Sequence, residues 1–162
     1  MARVQTVSRE GVIAGGIGAS AVAVWFLIVD VIAGRPFFTP SMLGAALASV
    51  LGGPAMGAFA NVVVYTIFHF AVFFAVGILL AWVVHRAETE PSVLVIFLLL
   101  FIICELGFYG ITAILAETRM RSLAWYQIAA GNVLAAVSMG WYLWTAHPAL
   151  RAELANAIEG EG

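Results

Sequence analysis

Residues 56–84 read MGAFANVVVYTIFHFAVFFAVGILLAWVV, without a single Asp, Glu, Lys or Arg. The run exceeds the roughly 20 apolar residues needed to cross the hydrocarbon of a bilayer as a helix. Three more stretches reach that length, at about 11–33, 92–116 and 123–146. The expected fold class is therefore all-α, an integral membrane four-helix bundle that forms a single domain over 1–162.

Composition agrees. Of 162 residues 64% are hydrophobic and 10% charged, and the mean hydropathy is +1.06, outside the range of soluble domains. Every basic residue is an arginine (Arg3, Arg9, Arg35, Arg86, Arg119, Arg121, Arg151), and none lies inside an apolar run. They form no basic patch for nucleic acid. The one cysteine, Cys104, has no second thiol to pair with, which excludes an intramolecular disulfide and a cysteine-based zinc cluster. The first apolar stretch is longer than a secretory signal core and further spans follow it, so it is expected to remain as the first membrane helix.

Four spans place both termini on one side. With the termini cytoplasmic, Arg3, Arg9, Arg86 and Arg151 lie inside and Arg35, Arg119 and Arg121 outside, which is the orientation the positive-inside rule favours. Trp82, Trp141 and Trp144 then mark the inner interface and Trp125 the outer one, while Trp25 fits neither and is expected to pack within the bundle or against a neighbour. Pro40, Pro54, Pro91 and Pro148 each stand where a helix can begin, the missing N–H costing nothing in a first turn. Between spans one and two, residues of about 40–51 can form a helix too short to cross, expected to be interfacial or re-entrant. Residues 148–162 form an amphipathic C-terminal tail. Gly11 with Gly15, and Gly53 with Gly57, are small-residue pairs at four-residue spacing, the pattern that lets membrane helices approach closely.

Three polar residues sit near the middle of successive spans: His69, Glu105 and Asn132. A charged side chain at bilayer depth costs roughly 2.5–3.5 kcal/mol on insertion scales, so greasiness alone does not account for them. Counted from opposite ends of antiparallel spans, His69 and Glu105 reach the same depth and Asn132 comes close, giving one intramembrane polar layer. That layer can serve to fix helix register. Two other uses are open: His69, flanked by Phe68 and Phe70, as an axial ligand to a haem or (bacterio)chlorophyll, or Glu105 and His69 as a path for protons or ions. His85 and His147 stand at span ends, and two-histidine haem ligation within the chain is not expected. Asp30 closes span one and can pair with Arg35; with Pro36, Thr39 and Pro40 it is expected to fix the outer loop. No hydrolase elbow, zinc-protease or phosphate-loop motif is present, so no catalytic residue is assigned and catalysis is not expected.

The segment from Asp30 to Gly44, DVIAGRPFFTPSMLG, resembles a loop found after the first helix in small, uncharacterised bacterial membrane proteins with four predicted spans, with the pattern G-R-P-x-x-T-P-x-x-L-G. The resemblance extends to a histidine in span two, here His69, and a glutamate in span three, here Glu105. It implies a bacterial inner-membrane location and carries no activity. The functional expectation is a non-enzymatic accessory subunit of a larger membrane complex, a photosynthetic or respiratory one among the candidates. Its partners would be the lipid bilayer and the helices of that complex or of further copies. The competing expectation is a small proton, ion or solute transporter acting as a homo-oligomer.

Overall fold

The computed structural model describes residues 2–87, 89–90, 92–93, 95, 99, 102, 125–148 and 152. Four helices are delimited among them: α1 (Ala2–Ile32), α2 (Phe38–Val50), α3 (Ala58–Ala87) and α4 (Trp125–Ala146). The span expected at about 92–116, with Cys104 and Glu105, falls outside the described residues apart from a few positions, and so does most of the C-terminal tail.

At 1.5 Å per residue α1 and α3 are each about 45 Å long, beyond the roughly 30 Å of a bilayer core, whereas α2 spans only about 20 Å. α1 starts nine residues before the expected boundary, because its first residues include Ala2, Arg3, Gln5 and Glu10, good helix formers that give the helix no reason to stop where the apolar run begins. Both α1 and α2 end in the same cap. Gly34 (φ 68°) and Gly52 (φ 69°) turn left-handed; the next amides, of Arg35 and Gly53, reach back to the Asp30 and Ala48 carbonyls at 2.9 and 2.8 Å. This is the Schellman arrangement. A turn from Arg35 to Phe38 follows, closed by the Phe38 amide on the Arg35 carbonyl at 3.1 Å. Its third residue, Phe37, holds φ 64°, a conformation that favours glycine.

α1 packs most extensively on α3 and next on α4, while α3 and α4 barely touch. Gly11 faces Ile78, Gly15 faces Phe73 and Phe74, and Gly77 sits against the backbone of Gly11 and Gly15, so α1 and α3 run antiparallel. On α4, Met139 meets Gly18 and Gly131 meets Trp25 and Phe26, again antiparallel to α1. Gly53 and Gly57 do not open a packing groove, contrary to the sequence expectation. Both precede α3, and a methyl group at Gly57 would meet nothing within 4 Å. Pro54 likewise lies before the helix, four residues upstream of its start.

The interior combines alanines with a few larger apolar side chains. Ala14, Ala81, Met139 and Leu143 form the buried cluster, with Val7, Phe73, Leu80, Val84 and Tyr142 against it, and no large side chain among the described residues is fully buried. Large apolar side chains such as Ile32, Phe59, Ile67, Trp82, Val137 and Trp141 face outward. Among the described residues two helices are both long and apolar enough to cross a membrane, over Gln5–Ile32 and Ala58–Ala87, with only 22% of each apolar window buried.

The seam sets the first expectation. A methyl at Gly77 would overlap the Gly11 carbonyl, so Gly77→Ala should destabilise the purified protein by about 1–3 kcal/mol. Gly140→Ala, where a methyl meets nothing, should leave the unfolding midpoint unchanged or raise it, since alanine is the better helix former by up to about 1 kcal/mol. Circular dichroism melts in detergent would read both.

Candidate functional site

His69 projects from α3 toward α1, and its Nε2 lies 3.1 Å from the Ala19 carbonyl. A carbonyl only accepts, so Nε2 carries the hydrogen and donates it. The ring also packs against Tyr65 and Phe73, with centroids 5.6 and 4.7 Å away. His69 thus ties two helices together, and an axial bond to a macrocycle would fall to Nδ1. Asn132 does not share its level. The Gly18–Met139 and Trp25–Gly131 contacts place the Ala19 level of α1 near residue 138 of α4, about six residues or 9 Å from Asn132. Counting from span ends assumed that all helices enter at one height, and α3 with its 30 residues does not match the 22 of α4. Glu105 lies outside the described residues, and with it the His69–Glu105 contact.

Asp30 is buried, 3% exposed, and so is Thr39. The carboxylate accepts from the Thr39 amide through Oδ2 and from the Thr39 hydroxyl through Oδ1, both at 2.7 Å. The charge-assisted pair joins the end of α1 to the first turn of α2, where the amide has no partner within the helix. The Asp30–Arg35 pair expected from sequence is not formed: the Arg35 guanidinium stands over the Phe38 ring, 4.1 Å from its centroid. Folding Thr39 back onto Asp30 leaves Arg35 pointing away from the carboxylate. Pro36 shapes the turn, and Pro40 sits in the first turn of α2, where its missing N–H is harmless. Asp30, Thr39, Tyr65, Thr66 and His69 are among the residues lining a cleft of about 210 Å³ between α1, α2 and α3, the rest of which is apolar.

The densest group of titratable side chains lies at the opposite end, and sequence reasoning passed over it. Glu10 of α1, His85 of α3 and His147, which follows α4, bring one ligating atom each to within 4.8 Å of one another. His147 Nε2 is 3.3 Å from His85 Nδ1; Glu10 Oε2 is 3.6 Å from the latter and 3.5 Å from the former. The two rings meet edge to face at 4.7 Å. His147 is 5% exposed, and its Nδ1 donates to the Leu143 carbonyl at 2.9 Å, which turns Nε2 toward the other two residues. His85 Nδ1 likewise faces the Ala81 carbonyl at 3.0 Å. Glu10 Oε2 is buried without a hydrogen-bond partner. Compared with protein families, curated proteins and solved structures, the chain matches none. The site is therefore read from its geometry.

A signal for this cluster was present in the order of spans. In the expected four-span order successive spans alternate direction, so the ends of the second and fourth would fall on the same side as the start of the first. That parity groups Glu10, His85 and His147 before any packing is known.

The Asp30 clasp makes the second expectation. Asp30→Ala strands a buried amide and hydroxyl and should cost about 1–3 kcal/mol. Asp30→Asn, which keeps one acceptor oxygen, should cost less, and chemical unfolding of the two variants side by side would show the order.

Proposed function

We propose that the chain is a non-enzymatic accessory subunit of a larger bacterial inner-membrane assembly, which it stabilises through helix, lipid or pigment contacts. The observation that carries this reading is the outward display of bulky apolar side chains over helices joined along a seam of small residues. In water such a surface would drive association; in a bilayer it is solvated by lipid or covered by other helices.

Four crossings are supported by direction. α3 and α4 both run antiparallel to α1, so Ala87 and Trp125 stand at opposite ends of the bundle and the chain between them joins those ends. Arg9 and Arg86 flank the Glu10 and His85 end and Arg35 the other, which favours cytoplasmic termini. A pigment or haem of the host would meet the chain from outside near His69, Tyr65 and Phe70, since the cleft of about 210 Å³ is too small to enclose a macrocycle. The reading also takes support from His69 itself: with Nε2 held by Ala19, the histidine is placed to fix helix register rather than to pass protons along a wet path.

Mild extraction from native membranes, followed by the particle mass and visible spectrum, tests the proposal. The expected particle is many times the 17.2 kDa of the chain, with the remaining mass in other polypeptides. A particle no larger than a small homo-oligomer would overturn the subunit reading, and flux lost in Glu105→Gln would then establish a transporter.

A further inference from the structure

We propose that Glu10, His85 and His147 form a binding site for a divalent transition-metal ion, with zinc the best geometric match, that pins together the ends of α1, α3 and α4. This does not depend on the assembly role.

The first argument is the size of the triangle. Its edges are 3.3, 3.5 and 3.6 Å. Zinc–nitrogen and zinc–oxygen bonds of about 2.0–2.2 Å in a tetrahedron place neighbouring ligand atoms about 3.3–3.6 Å apart. The three donor atoms therefore already occupy one face of such a tetrahedron. Two imidazoles and one carboxylate form a set that suits zinc and its neighbours in the transition series, whereas calcium and magnesium seek all-oxygen sites.

Electrostatics make the second argument. Glu10 Oε2 is a buried acceptor with no donor, set against the Nε2 of His147. Buried carboxylate oxygens are paired or bound to a cation, and the shared centre of this triangle is where one cation would meet all three atoms. The outer contacts fit as well. His147 donates its Nδ1–H to the Leu143 carbonyl, the arrangement by which a ligating histidine is oriented through its other nitrogen. His85 would bind through Nδ1, moving its hydrogen to Nε2. The Ala81 carbonyl it leaves keeps its partner within the helix, since α3 continues to Ala87. The fourth position of the tetrahedron faces away from the triangle and would take water or a ligand from a partner.

The three ligands come from α1, α3 and the end of α4, and α3 and α4 barely touch elsewhere. The ion would therefore close a helix pair that the packing leaves loose.

The test uses the full chain, free of any histidine tag, purified in detergent and stripped with a chelator. Co2+ titration should produce the visible bands of a four-coordinate ion, saturating at one per chain and displaced by Zn2+. Zn2+ should raise the melting temperature of the wild type. The double variant His85→Gln/His147→Gln should lose the bands and the shift, and Glu10→Gln should weaken binding at least tenfold. Absence of saturable Co2+ bands in the wild-type protein, which needs no variant to interpret, would overturn the proposal. Equal Co2+ uptake by the double variant would overturn it too.

Discussion

The close approach of α1 and α3 is the constraint from which the remaining contacts follow. Helices in contact through glycine bring their backbones near enough for groups that ordinarily stay apart to meet. Along α1, Gly11, Gly15 and Ala19 succeed one another by four residues and face Ile78, Phe73 and His69 in turn. One register therefore supports three contacts. It places a main-chain carbonyl within reach of an imidazole, and carried toward the start of α1 it brings Glu10 alongside the His85 ring. A slip of one residue would turn both polar contacts away from their partners.

The stability of this arrangement rests on different terms from those of a soluble bundle. Apolar burial between helices contributes little where the surrounding lipid is equally apolar, so packing and hydrogen bonds decide. Two sites show how the polar groups are handled. Each Asp30 carboxylate oxygen accepts from Thr39, and the pair joins consecutive helices at a tight corner. His69 is satisfied by a carbonyl on a neighbouring helix. Glu10 Oε2, in contrast, has no donor, which separates the Glu10 cluster from the other two sites.

Much of the architecture could be read from the residues because apolar length and glycine or proline punctuation are local properties. The approximate positions of the four delimited helices, among them the short one between the first two long ones, and the small-residue face of α1 all come from such signals. What was missed depends on pairing between helices. Gly77 and Ala81 are a small-residue pair at four-residue spacing inside a run of bulkier apolar residues, and Gly77 is the glycine that meets Gly11 and Gly15. Gly53 and Gly57 have the right spacing but precede their helix. Asn132 was set level with His69 by counting residues, and the unequal lengths of α3 and α4 displace it. Charge attraction suggested Arg35 for Asp30, where a buried amide and hydroxyl in the next helix were the stronger partners. Local pattern says which residues can approach, whereas helix offset says which ones do.

A helix seam of alanine and glycine beneath a surface of valine, leucine, phenylalanine and tryptophan also reverses the usual map of tolerance to change over evolutionary time. Positions on the outside can exchange one bulky apolar residue for another and drift rapidly while the lipid stays the same. Along the seam the smallest side chains admit no enlargement, so lineages of this protein should diverge most where they are most hydrophobic and keep their least conspicuous residues longest.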